Sequence, residues 1–162
     1  MTNLNKNQEK KDLDEWLDTV SYAELNSPDY LPSEFALFFM NFIKLVNGAE
    51  GESNKTPPVH LKMLDKLSMD TSTYLVNLCF RGAAKTTLFM EYLVLYLAIF
   101  GDLPGLGKVS GMIYISDSME NGVKNARKNI EFRFQKSEFM QEWIKEAKFT
   151  DNYLEFTNKE GH

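Results

Sequence analysis

The sequence predicts an α/β fold, a parallel sheet flanked by helices, preceded by a helical N-terminal extension. Three observations predict it. Before residue 70, apolar residues recur at helical spacing. Two short apolar runs, Thr73–Phe80 and Met112–Ser116, each pass through a turn into a long helix. A third run, Tyr153–Asn158, follows the second of those helices. Strands that alternate with helices build a parallel sheet, because each helix carries the chain back across a sheet face. Three strands make a small sheet, so the expectation is an incomplete one, the first part of a larger domain. The expected division is residues 1–55 as extension and loop, and 56–162 as the start of the α/β domain.

In order along the chain, Met1 to about Asp12 is polar and read as a frayed tail without the apolar core of a signal peptide. Leu13, Trp16, Leu17 and Val20 predict a short amphipathic helix. Ser33 is a suitable N-cap for the second helix, "EFALFFMNFIKLV", whose Phe35, Phe38, Phe39 and Phe42 form a core or docking face. Asn47–Pro58 reads as a loop, and "VHLKMLDKLS" as a third helix begun by Pro57 and Pro58.

Thr73–Phe80 reads as a buried strand and Leu88–Phe100 as a core helix, too short and too interrupted by Glu91 to span a membrane. After the loop Gly101–Gly111 and the strand Met112–Ser116, Asp117 and Glu120 resemble a capping box. They open one long helix bearing Val123, Ala126, Ile130, Phe134, Met140, Trp143, Ile144 and Ala147. Its exposed face is expected to carry Lys124, Arg127, Lys128 and Arg133. The run Tyr153–Asn158 starts a strand with no partner before His162.

Composition limits the function classes. The 162 residues are 43% hydrophobic and 13% aromatic, enough for a core and against disorder throughout. A net charge of -5 excludes a global basic field for nucleic acid. One cysteine, Cys79, excludes an intramolecular disulfide framework, and it reads as a small core residue. Two histidines supply no metal-ligand spacing and no Ser-His-Asp arrangement. The basic run Lys124, Arg127, Lys128 and Arg133 is interleaved with Glu120, Glu131 and Glu138. It reads as a solvated helix face rather than a DNA contact.

The chemistry concentrates in "NLCFRGAAKTTL", Asn77–Leu88. A phosphate loop needs a strand before it, small residues whose N–H groups can wrap an anion, and a helix starting at the loop. It also needs a Lys for the phosphates and a hydroxyl for Mg²⁺. Gly82, Ala83 and Ala84 are the small residues, Lys85 is the cation, Thr86 is the hydroxyl, and Thr87 stands beside it. Cys79 and Ala84 occupy the two glycine positions of the strict pattern. Gly82 is the residue free to take a positive φ, which alanine resists. The same letters also suit an ordinary strand–helix connection.

"FRGAAKTT" resembles the Walker A segment of the large terminase subunits of tailed bacteriophages, whose members place an Arg four residues before the Lys. Arg81 holds that position. "YISDSMENGVKNARKNIEFRF" and "LEFTNKEGH" are similar to the later segments of that family, and "TPPVHLKMLDKL" loosely to its pre-loop helix, which puts His60 near an adenine pocket. His60 alone reads as a half-exposed helix residue.

The resemblance covers about Thr56 to His162. It implies a RecA-like P-loop NTPase fold and an ATPase that drives double-stranded viral DNA into the capsid. Implied with it are ATP and Mg²⁺ as ligands, a ring of identical subunits when full length, a portal and a small terminase subunit as partners, no membrane, and the cytoplasm of the infected bacterium. In these terms Lys85 binds the β- and γ-phosphates, Thr86 ligates Mg²⁺, and Gly82 to Lys85 cradle the phosphates with their N–H groups. Arg81 senses or stabilises the γ-phosphate. The Walker B acidic pair and the nuclease domain are expected beyond His162, so residues 1–162 alone are expected to turn over ATP weakly. Two other readings stay open: a helicase or nucleotide kinase of the same loop class, and a non-enzymatic docking or assembly module with a vestigial loop.

Overall fold

The structure is a computed structural model that describes residues 30–48, 57–69 and 75–161. The expected tail and helix of residues 1–20, loop residues 49–56, Thr73, Tyr74 and His162 lie outside the described residues. The chain divides into two units, Met1–Pro32 and Ser33–His162. Every element below belongs to the second.

The first described helix, α1, runs Glu34–Asn47. Ser33 caps it as expected: its Oγ accepts a hydrogen bond from Ala36 N at 3.1 Å, satisfying one of the N–H groups a helix start leaves free. Ser33 N donates in turn to Asp65 Oδ1 at 2.9 Å. That bond pins the start of α1 to α2, Pro58–Met69, where prolines open the helix without losing a helical hydrogen bond. Met63 and Leu64 of α2 are buried.

The third helix, α3, begins as a π-helical turn, Thr87–Tyr92, and continues as an α-helix, Leu93–Phe100. It is the expected core helix: Leu88, Leu93, Leu95, Tyr96, Leu97 and Ile99 are buried. No helix among the described residues is long and apolar enough to cross a membrane. Tyr96 is the hub of its packing on α1. Its ring centroid lies 5.7 Å from Phe35, 5.2 Å from Phe39 and 5.6 Å from Phe42, with Phe100 at 4.7 Å. Tilted and edge-on pairs at such spacings add to the energy of burial alone. Gly101 ends α3 in the left-handed region, at φ 66°.

A minimal hairpin follows, β1 Asp102–Leu103 and β2 Gly107–Lys108. Helix α4 again opens with a π-helical turn, Met119–Val123, and runs on as Lys124–Lys136. Its cap is Ser118, whose Oγ accepts from Asn121 N at 3.1 Å; this replaces the expected pair of Asp117 and Glu120. The single long helix expected here is three elements. Ser137 interrupts it and caps a short helix, α5, Glu138–Trp143, by accepting from Met140 N at 3.2 Å. Residues Ile144–Phe149 are strand β3, paired antiparallel with β4, Leu154–Asn158. The third expected strand therefore exists, and its partner is the segment read as the end of a helix. Three rings, Phe134, Phe149 and Phe156, stack within 5.8 Å of one another and hold the hairpin to α4. Asn158 Nδ2 donates to Ile99 O at 2.7 Å and ties β4 to the end of α3.

The other two expected strands are not formed. Among the described residues the sheets are two small antiparallel pairs, and no parallel sheet is present. Residues 75–80 and 112–116 join no strand. Several of their apolar side chains face solvent: Val76 is 78% exposed, Phe80 70%, Ile113 87% and Ile115 86%, while Cys79 is partly buried against the core. The physical reason is that β structure needs a partner. An apolar run states a preference for being covered, and a ladder forms only where a second strand supplies hydrogen bonds.

Candidate phosphate-binding loop

The loop lies between the exposed segment 75–80 and the start of α3. Gly82 has φ 93° and Ala84 has φ 52°, and Ala84 is the sole non-glycine at positive φ among the described residues. Signs of φ thus alternate along Gly82, Ala83, Ala84 and the helical Lys85. Ala83 N donates to Phe80 O at 3.3 Å in the turn that enters the loop, so the loop N–H groups left for an anion are those of its neighbours, Gly82 and Ala84. A Cβ on Gly82 would meet nothing within 4 Å. The backbone angle, and not crowding, is what favours glycine there.

Ala84 carries strain, since an L-residue in the left-handed region costs roughly 1–2 kcal/mol. From the sequence, Gly82 is the residue free to take a positive φ; the structure has one at Ala84 as well, the position where the strict pattern has glycine. Local strain of this kind collects at functional sites and persists only where neighbours hold it. One neighbour is evident. His60 Nε2 lies 2.9 Å from Ala83 O, and because a carbonyl can only accept, Nε2 carries the hydrogen.

The first bond of the helix is Leu88 N to Ala84 O, 2.9 Å. The N–H groups of the first turn, Lys85 to Thr87, therefore have no intrahelical acceptor and face the loop. The side chains of Arg81, Lys85 and Thr86 are exposed. Among the described residues they make no hydrogen bond, ion pair or ring contact. Ala83 is buried and Thr87 half-buried. The site thus joins the N–H groups of Gly82, Ala84 and the first turn of α3 with a Lys, a hydroxyl and an Arg that are unengaged among the described residues, all within seven consecutive residues. These fit a polyphosphate and its Mg²⁺: the backbone and Lys85 would hold phosphate oxygens, and Thr86 would offer one oxygen to the metal. No group of three or more His, Cys, Asp and Glu side chains that could hold a metal occurs among the described residues.

Below the loop, α3 is held by a buried polar network. Glu91, 3% exposed, accepts from Arg133 Nε at 2.7 Å and from Asn129 Nδ2 at 2.9 Å. Arg133 Nη1 donates to Tyr92 OH at 2.6 Å, and Tyr92 OH donates to Asn47 Oδ1 at 2.7 Å. Burial pushes the Tyr92 phenol above its ordinary value, although Arg133 and Asn47 pull it down. The network joins α1, α3 and α4, so the helix that presents the loop is fixed on two sides.

That network corrects the reading of the basic run. Arg133 is not on a solvated face; it is the partner of a buried carboxylate. Arg127 pairs within its helix with Glu131 at 2.8 Å, and Lys124 with Glu120 at 2.7 Å. Lys128 alone of the four matches the expected exposed position without such a pair. Sequence reasoning also missed the contact of His60 with the loop. The sole signal for Glu91 was its presence in an otherwise apolar helix.

A separate cavity of about 570 Å³ opens between α3 and α4. Met90, Val94 and Leu97 line it from one side, Ala126 and Ile130 from another, and Phe156 of β4 closes it. None of residues 81–87 lines it. Arg127, also on its wall, has a buried Nε without a hydrogen-bond partner.

Comparison of the chain with protein-family models, with curated proteins and with solved structures finds no match.

Proposed function

We propose that residues 81–87 bind the phosphates of a nucleotide, and that the chain is the nucleotide-binding part of an ATPase. The observation that carries this reading is the positive φ of Gly82 and, at a cost in strain, of Ala84, directly before an unengaged Lys85 and Thr86. In this reading the N–H groups of the loop and of the first turn of α3 hold phosphate oxygens. Lys85 neutralises the terminal phosphates, Thr86 ligates Mg²⁺, and Arg81 meets the γ-phosphate. Residues 81, 82, 83, 84, 85, 86 and 87 make up the site, with Arg81 and Lys85 as its charged catalytic members.

The particular ATPase we propose is the large subunit of a tailed-bacteriophage DNA-packaging motor. The support for it is the resemblance of Arg81–Thr86 and of the segments on either side. The apolar faces of residues 75–80 and 112–116, and the cavity walled by α3 and α4, are what a central sheet of such a domain would cover. The test is calorimetric titration with Mg-ATP. Wild-type protein should bind and Lys85→Ala should bind at least tenfold more weakly; equal affinity of the two would overturn the assignment.

One specific observation favours a second reading, a docking or assembly module. Leu78 and Phe80, at 64% and 70% exposure, and Ile113 and Ile115 leave large apolar side chains uncovered, and exposed apolar surface of this kind marks interaction sites where it is contiguous. In that case the loop has no nucleotide affinity, and the same titration gives no heat for either protein.

A further inference from the structure

We infer that His60 is a positioning residue that holds the loop in its anion-binding form by gripping the Ala83–Ala84 peptide plane. The inference rests on the phosphate-binding reading of residues 81–87 for its consequence, and on geometry alone for the grip itself. His60 belongs to the first turn of α2 and reaches across 23 positions of sequence to Ala83 O, 2.9 Å from its Nε2.

The peptide is planar and trans, so the Ala83 carbonyl and the Ala84 N–H point in opposite directions. Fixing the carbonyl on His60 aims that N–H away from α2. A half-turn of the plane would change ψ of Ala83 and φ of Ala84 together. It would return Ala84 from φ 52° to the negative values an alanine prefers. It would also put a carbonyl oxygen where the loop now offers the Ala84 N–H, and an oxygen there repels phosphate. The flipped plane relieves strain and abolishes the site; the hydrogen bond from His60 opposes the flip. His60 further keeps the Ala83 carbonyl out of the helical ladder, whose first acceptor is Ala84 O.

The grip is needed because residue 84 is alanine. With glycine there a positive φ costs little, and the plane stays as it is without His60. This predicts a coupling that a general loss of stability in α2 would not produce. Mg-ATP affinity is measured by calorimetry for wild type, His60→Ala, His60→Gln, Ala84→Gly and the double variant His60→Ala with Ala84→Gly. His60→Ala should weaken binding about five- to tenfold, the worth of one hydrogen bond. His60→Gln keeps an N–H donor and should bind within about twofold of wild type. The double variant should match Ala84→Gly. Unchanged affinity in His60→Ala, or a double variant as weak as His60→Ala, overturns the inference. Should His60→Ala lose its helical circular dichroism, His60→Leu, which keeps bulk but no donor, is read in its place.

The sign of φ at residue 84 in the nucleotide-free protein, determined by NMR, is the second readout. It should be positive in wild type and His60→Gln and shift to negative in His60→Ala. A wild type that binds no Mg-ATP removes the phosphate reading. The grip on the peptide plane then stands if φ shifts in His60→Ala and falls if it does not.

Discussion

Arg133 Nε donates to Glu91 Oε2 at 2.7 Å, 42 positions away in sequence, and so places an ion pair at the root of the helix that carries the loop. The Arg133 guanidinium also lies 4.4 Å above the Tyr92 ring, which adds a cation–π contact. Arg133→Ala leaves the Glu91 carboxylate buried with Asn129 as its remaining donor. The expected loss of stability is about 3 kcal/mol, the scale for removing one partner of a buried pair. Urea unfolding of the variant measures it. A loss below about 1 kcal/mol, the scale of exposed pairs, would mean that the pair is effectively solvated.

Arg81 should discriminate between nucleotides. It makes no ion pair among the described residues, and in the proposed phosphate-binding reading it meets the γ-phosphate. Arg81→Ala should weaken ATP about tenfold and leave ADP nearly unchanged in calorimetric titrations. Equal weakening of both would assign Arg81 to holding the loop instead.

Stability should fall in alkali. Burial, helped by the negative charge of Asp102, pushes the Tyr96 phenol up to about 12. Below about pH 10 the phenol is neutral in folded and unfolded chains alike. Above that the unfolded phenol loses its proton first, so the unfolded chain binds fewer protons and unfolding becomes easier as pH rises. The loss runs from about pH 10 to about pH 12. Urea midpoints at pH 9, 10 and 11 should decline for wild type and decline less for Tyr96→Phe.

Gly122 is needed for space rather than for its backbone angle. A Cβ there would collide with the Ser116 side chain. Gly122→Ala should therefore cost about 1–3 kcal/mol in thermal unfolding. Ser116→Gly in the same chain should return most of it, because both clashing atoms belong to that side chain. A Gly122→Ala protein as stable as wild type would show that the segment yields freely.

The exposed apolar runs should promote self-association. Val76→Lys with Ile115→Lys alters side chains 78% and 86% exposed, so stability should change by no more than about 0.5 kcal/mol. Sedimentation velocity should show less oligomer than wild type at equal concentration. An unchanged distribution would mean that neither residue takes part in association.

The helices were legible in the sequence because a helix closes its hydrogen bonds within four residues and advertises its buried face at a fixed spacing. Ser33, the phenylalanines of α1 and the apolar run of α3 are read directly in that way. Strands were legible only as apolar runs. Residues 75–80 and 112–116 have the pattern of strands and no strand partner, while Ile144–Phe149 has a helical pattern and pairs with β4. Pairing is decided by what another segment offers, and that information is not local.

The loop shows the same division. The letters from Arg81 to Thr87 by themselves determined the chemistry on offer: a cation, hydroxyls and small residues ahead of a helix. Tertiary structure alone decided that Ala84 takes a positive φ and that a distant donor, His60, meets the neighbouring carbonyl of Ala83. It likewise decided that Arg133 turns inward. A charge faces the interior when a buried opposite charge and its hydrogen bonds outweigh the hydration it gives up, and Glu91 reaches that position only through the packing of α3 on α4.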